Sequence, residues 1–341
     1  MMENQFVRVG LDSKTGGVVS LVDKSSGQEL LSAAQGAFPR FTGRPNPNLS
    51  TKPNPPASYD SAQSTASIDW LAQGPLWATV RAQHAWPYLK FETRVTLTAA
   101  SPYVEITTRV LAQLPPHSDA APADIKEGYW ASLVPNFPVA RVLRDFPFGV
   151  EETHNPAFHA LTFVDLLGAD QGLLVLHAGT QYFRREDSGA VSNLMMREWE
   201  SHFTKEYGWP IYSQYRHALW PHKGKLSNAE RLRAATEFAR PMDCVCEEPR
   251  TGDLPGSQSF LSVTPSNVQL SAFRARREGG FELRVVETDG SSAQGTIAVQ
   301  LPVQQATETD LVGNRLADAK PQGMPMLIMT EPWKIRTFHL Q

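Results

Sequence analysis

Between residues 67 and 110 the chain alternates apolar and polar side chains through three successive segments, ATVRAQHAW, KFETRVTLT and YVEITTRVL. A period of two with β-branched enrichment suits a half-buried strand and is useless to a helix, so this region must fold as antiparallel sheet. In FETRVTLT, for example, Phe91, Thr93, Val95 and Leu97 share one face while Glu92, Arg94, Thr96 and Thr98 share the other. One face is buried and the other is wet.

The same habit governs the rest of the chain. Segments 5–11 and 18–22 flank a Gly-rich turn, 128–139 and 142–150 are extended, and 161–167 with 172–177 reads as a hairpin around Gly168-Ala-Asp-Gln171. Residues 36–59 carry six prolines among Asn, Ser and Thr and are expected to be a loop. One helix is predicted over 227–239: Ser227-x-x-Glu230 is a capping box, Leu232, Ala235, Phe238 and Ala239 form an apolar stripe, and Pro241 stops it. Segments SFLSVT, VQLSAFRARR, FELRVVET, TIAVQLPV and KIRTFHL then read as short strands separated by turns. The expected fold is all-β: a large domain over 1–242, a Pro- and Gly-rich linker over 243–256, and a smaller β-sandwich over 257–341.

Composition narrows the function classes. With Lys+Arg 32 against Asp+Glu 35, a net charge of -3 and no basic run, nucleic acid is not an expected partner. No apolar window is long enough to cross a bilayer and MMENQFVRV lacks the plan of a signal peptide, so no membrane partner and a cytoplasmic location are expected. Cys244 and Cys246, one residue apart, are too close for an unstrained bridge and too few for a metal site. His117-x-Asp119 sits among prolines and alanines with no rigid element to hold a ligand pair, and reads as loop.

The densest concentration of chemistry is residues 193–223, NLMMREWESHFTKEYGWPIYSQYRHALWPHK, where aromatic planes alternate with hydrogen-bonding groups. Such surfaces suit sugars: rings cover a C–H face while Arg, Glu and His address hydroxyls. Tyr182, Arg197, Glu198, His217, Trp220 and His222 are the candidate carbohydrate-binding residues, with Arg197 and Glu198 pairing to vicinal hydroxyls and Trp220 or Trp199 stacking. The competing assignment makes His217 and His222 interior histidines and puts Arg197 and Glu198 on opposite sides of a strand. Glu287 falls on the apolar side of FELRVVET and needs a partner, for which a structural ion pair is expected.

The opening NQFVRVGLDSKTGGVVSLVDKSSGQELL resembles the start of the carboxy-terminal region of glycoside hydrolase family 38, the α-mannosidase family. FPFGVEE, FVDL with GLLVLHAGTQY, RHALWPHKG, the segment from LPGSQSF to VVETDG and the closing PWKIRTFHL continue the resemblance in order over nearly the full length. It implies an antiparallel supersandwich similar to galactose mutarotase, followed by a smaller β-sandwich. It also implies association with zinc-dependent, retaining α-mannoside hydrolysis. In the family the zinc ligands and the nucleophilic aspartate belong to an amino-terminal α/β domain, and the α/β alternation of such a domain does not occur in this sequence. What the resemblance implies is therefore a carbohydrate-binding and structural portion with no catalytic residue, metal ligand or cofactor of its own, working with an α/β catalytic domain in cis or trans on an α-mannoside-type ligand. Zinc is expected only in that domain. Two alternatives stand beside it: a free-standing carbohydrate-binding protein, or an independent sugar epimerase or polysaccharide lyase pairing His217 with Glu198 or Tyr212.

Overall fold

The computed structural model describes residues 1–45, 59–86, 89–112, 127–196, 211–248, 251–253, 255–316 and 322–341. Its strands, all antiparallel in their pairings, form five sheets among these residues, and the helix Asn228–Ala239 accompanies them. The chain is all-β, with two stacked-sheet assemblies in sequence. It divides into two compact units, Met1–Phe146 with Glu151–Lys225, and Pro147–Val150 with Leu226–Gln341.

In the first unit the alternating segments do what their period requires. Leu89–Thr98 buries Phe91, Thr93, Val95 and Leu97 and leaves the intervening residues more accessible, as FETRVTLT predicts. It lies in a nine-stranded sheet in which Gly149–Glu152, Arg141–Phe146, Phe163–Leu167, Gly172–Ala178, Ile211–His222, Val104–Ala112, Leu89–Thr98, Trp77–Trp86 and Ser67–Gln73 follow one another. Opposite is a six-stranded sheet in the order Ala157–His159, Tyr182–Arg185, Val191–Met196, Glu127–Leu133, Arg40–Pro45 and Tyr59–Asp60. The expected hairpin is present, closed by Gly168 N–H donating to the Gln171 carbonyl at 2.8 Å.

The proline-rich segment differs from its reading as a loop: Arg40–Pro45 is a strand paired to Glu127–Leu133, and Tyr59–Asp60 pairs to it in turn. Arg-Phe-Thr keeps one short alternation between Pro39 and Pro45, and burying Phe41 completely supplies the reason. Residues 46–58 lie outside the described residues.

Two apolar clusters fill the space between the sheets. One gathers Val9, Val18, Leu21, Ile106, Val175 and Leu219, the other Phe41, Phe91, Val110, Tyr129, Met195 and Tyr215. Phe41 and Phe91 stack with centroids 4.4 Å apart in the second cluster. Between the clusters runs a belt of buried polar side chains, Thr93, Thr108, His177, Asn193 and His217.

In the second unit a three-stranded sheet and a five-stranded sheet enclose a separate core built on Leu283, Val285, Ile297, Ile328 and Phe338. The strands Gln305–Thr309 and Met326–Thr330 complete it beyond the five segments legible in sequence. The helix starts where the capping box places it, with Ser227 Oγ accepting from Glu230 N–H at 3.2 Å and Glu230 Oε2 accepting from Ser227 N–H at 2.7 Å. It belongs to this unit, not to the first domain as the 1–242 boundary had it. Asp289 accepts from the Ala229 amide at 3.1 Å and Gln269 donates to the Ala229 carbonyl at 2.7 Å. Residues 243–248 are exposed and irregular and lie within the second unit, and Cys244 and Cys246 are exposed free thiols.

Candidate functional site

The sequence candidates go to different places. Arg197, Glu198 and Trp199 lie outside the described residues, as do His117 and Asp119. Ile211–His222 carries three candidates, but alternation sends them to opposite faces of the nine-stranded sheet. Tyr215, His217 and Leu219 point between the sheets, while Trp220 and His222 lie on the far side. Trp220 is half-buried beside Tyr103, with ring centroids 6.5 Å apart.

His222 is buried and fully engaged. Gly224 N–H donates to its Nδ1 at 3.0 Å, which places the ring proton on Nε2, and Nε2 donates to Asp165 Oδ1 at 2.9 Å. The ring covers Gly172, where any Cβ would overlap it. This His–Asp pair bridges Phe163–Leu167 and Ile211–His222 across the intervening strand Gly172–Ala178, and leaves no nitrogen for a ligand. His217 is also interior: its Nε2 meets Asn193 Oδ1 at 3.2 Å and the edge of Phe38 packs against it at 5.5 Å. His177 stands directly opposite in the neighbouring strand, and burial holds both rings neutral, His177 down to about 3 and His217 down to about 4. Two imidazoles without a third ligand do not make a zinc site. Among the described residues no group of three His, Cys, Asp or Glu side chains converges on one point.

The acid–base pairing of His217 with Tyr212 fails for a related reason. Tyr212 is exposed and five residues away on the same strand, so the two side chains leave it on opposite faces. Glu287 has also found neutral partners, not a cation. Its carboxylate accepts N–H bonds from Asn267 Nδ2 and from the backbone of Asp289, Gly290, Ser291 and Trp333, at 2.8 to 3.2 Å. Burial pushes its pKa up, the N–H bonds of Trp333, Asp289, Asn267 and Ser291 push it down, and the balance is a lowered pKa.

Tyr182 is different. Phe183, its neighbour, turns inward to stack on Phe158, so Tyr182 faces out from the six-stranded sheet. There it joins Trp130, 6.0 Å away, and His159, 5.2 Å away and edge-on, in an aromatic row running across the strands. The next row on the same face is polar: Arg40, Ser132, Ser192 and Arg184 pair in register across four strands. Ser132 and Ser192 hydroxyls lie 2.7 Å apart and Ser192 donates to Glu186 at 2.6 Å. Arg40 grips Asp60 through two hydrogen bonds of 3.1 and 2.7 Å. That hydrogen-bonded pairing with Asp60, helped by the charge of Glu186, raises the Arg40 pKa. Arg184 is exposed and, among the described residues, makes no hydrogen bond or ion pair. The face thus offers ring planes and a free guanidinium, while the two serine hydroxyls between them are buried and bonded to each other and to Glu186.

Sequence reading found only Tyr182 of this face. The signal for part of the rest was present in QYFRRED, where Tyr182, Arg184 and Glu186 recur with period two and must share a side. Trp130, His159 and Arg40 come from other strands, and only sheet order brings them in.

Comparison with known proteins agrees with this architecture. The family description "Glycosyl hydrolases family 38 C-terminal domain" matches residues 2–119, and "Glycosyl hydrolases family 38 C-terminal beta sandwich domain" matches residues 267–338. The chain belongs to glycoside hydrolase family 38 and represents its carboxy-terminal region. It is 26% identical over 92% of its length to Alpha-mannosidase 2C1 of Mus musculus, and spans 31% of that protein. Among solved structures, an α-mannosidase from Enterococcus faecalis V583 superposes with a TM-score of 0.75 at 15% identity, covering all of this chain and 42% of the other. A family 38 protein from Enterococcus faecalis gives 0.76 at 14% identity, again over the whole chain and 44% of the other. The chain therefore spans less than half the length of these relatives. Among its described residues no helix is long and apolar enough to cross a membrane.

Proposed function

We propose that this chain is the carbohydrate-contacting, structural portion of an α-mannosidase-like glycoside hydrolase, and that hydrolysis requires a zinc-bearing α/β domain acting with it. The observation that carries the sugar-binding part is the aromatic row Trp130–Tyr182–His159 beside the free guanidinium of Arg184. The rings would cover a pyranose C–H face while the Arg184 guanidinium takes its oxygens. In support of the absence of independent turnover, three carboxylates are already engaged, Asp60 with Arg40, Asp165 with His222 and Glu287 with five N–H donors, so none of these three is free to attack or protonate a glycosidic bond.

Calorimetric titration with methyl α-mannoside and short α-mannosides, with and without zinc, tests both parts. The expected result is zinc-independent millimolar binding that Tyr182→Ala weakens about tenfold, ~1.4 kcal/mol, with the thermal midpoint nearly unchanged. Binding indifferent to Tyr182→Ala, or no binding at all, would remove the sheet face from the reading. Release of mannose from an α-mannoside by the purified chain alone would overturn the non-catalytic assignment.

A further inference from the structure

The first unit also contains a cleft that does not include the aromatic row. A cleft of about 450 Å³ opens between the loop 134–139 and the turn that joins Tyr182–Arg185 to Val191–Met196. Both walls are fixed. Asn136 fastens the loop to Glu29–Leu31 and Ser32, its backbone N–H donating to the Leu30 carbonyl at 2.8 Å, its Nδ2 to the Glu29 carbonyl at 3.1 Å, and its Oδ1 accepting from Ser32 Oγ at 3.0 Å. The turn is closed by Glu186 N–H to the Ala190 carbonyl and Gly189 N–H to the Glu186 carbonyl, both 2.9 Å, with Gly189 at φ +83°. Phe137, Pro135 and Val191, all buried, supply an apolar lining.

Arg185 lines this cleft. It follows Arg184 in sequence but faces the other way, half-buried opposite Val191; its backbone N–H donates to the Pro156 carbonyl at 2.7 Å, while its side chain makes no hydrogen bond or ion pair among the described residues. A guanidinium stays charged at any physiological pH, so one that lines a cleft without a protein partner is available to an entering anion. Glu186 is not that anion, because its carboxylate is already the acceptor for Ser192. Its negative charge near the rim weakens the hold on any anion in proportion to that anion's charge, so a preference for a sugar acid over a small inorganic anion rests on the rest of the lining. Ser188 and Gln35 add a hydroxyl and an amide at the mouth. The volume lies at the lower end of small-molecule sites and suits about one hexose ring.

We propose that this cleft binds a monoanionic sugar acid, a hexuronate, with its carboxylate on Arg185 and its C–H face over Phe137. The site is independent of the aromatic row of the sheet face.

The test is titration of the chain with D-glucuronate, D-glucose and inorganic phosphate, repeated with Arg185→Gln, Arg185→Lys and Tyr182→Ala. Glucuronate is expected to bind at least about tenfold tighter than glucose, and Arg185→Gln to bring it down to the glucose level. Arg185→Lys should retain part of the preference and Tyr182→Ala all of it. Failure of glucuronate to bind at about 20 mM, equal binding by Arg185→Gln with an unchanged thermal midpoint, or tighter binding of phosphate would each overturn the proposal. If Arg185→Gln lowers the midpoint, Arg185→Lys decides: loss of the glucuronate preference in a stable Lys variant that keeps the charge also counts against it. Loss of mannoside binding in Tyr182→Ala with glucuronate binding intact would show the two sites to be separate.

Discussion

Lowering the pH from about 7.5 to about 5 should destabilise the first unit by about 4 kcal/mol, through His177 and His217 alone. Both are fully buried and held neutral, the first to about 3 and the second to about 4, against an ordinary value of 6.5. A histidine whose folded pKa is depressed contributes stability that is present above its unfolded pKa and is lost as the pH falls below it, because only the unfolded chain takes up the proton. At about pH 5 each unfolded imidazole is almost fully protonated while its folded counterpart is not, which costs about 2 kcal/mol per ring. His84, also lowered by burial, acts in the same direction. The window is clean on the acid side. Asp12 and Glu287, whose pKa values are lowered, lose their contribution only as the pH falls below the ordinary carboxyl values of 3.8 and 4.5. Urea unfolding followed by tryptophan fluorescence suits the assay, since Trp70, Trp77, Trp86, Trp130 and Trp220 belong to the first unit. A wild-type change of less than about 1 kcal/mol between the two pH values would refute the reasoning. So would an undiminished pH slope in a folded His177→Leu, His217→Gln variant.

Gly172→Ala should destabilise the first unit by about 2–3 kcal/mol, because the added Cβ displaces the His222 ring and with it the bond to Asp165; the urea midpoint reads this directly. Glu287→Gln should lower the thermal transition of the second unit and leave that of the first in place, at a cost of about 2–3 kcal/mol, since an amide NH₂ must then face donors that now meet a carboxylate. Scanning calorimetry resolves the two, and a shift of the first transition instead would contradict the placement of Glu287 in an independent core.

Much of the fold was legible because one rule, period two, was obeyed over long stretches. Leu89–Thr98 follows it closely enough that facing could be read residue by residue, and in Phe281–Glu287 it still sends Leu283 and Val285 to the core, although burial there does not alternate. The helix was legible from its cap, since Ser227 and Glu230 satisfy each other locally and need nothing from the rest of the chain. Arg40–Pro45 was not, because proline composition dominates the window and the burial of Phe41 that rescues the strand depends on a partner nearly ninety residues later, about the separation that makes such contacts invisible to local reading. Glu287 was half legible: sequence shows a carboxylate on an apolar side, but five backbone and amide donors arriving from 267, 289–291 and 333 leave no local trace.

The candidate site was the least legible part, for a geometric reason. A run such as 193–223 concentrates chemistry along the chain, but a strand gives its neighbours to opposite faces, and Ile211–His222 accordingly divides His217 from Trp220 and His222. A binding face on a sheet is assembled across strands, one residue from each. Trp130, Tyr182 and His159 meet because Glu127–Leu133 and Ala157–His159 flank the Val191–Met196 and Tyr182–Arg185 pair in the six-stranded sheet. In a fold of this kind the useful sequence signal is therefore a polar or aromatic residue repeated at i, i+2 and i+4 within one short strand. Tyr182, Arg184 and Glu186 are such a set, and the face they share is where a sugar-binding function should be sought first.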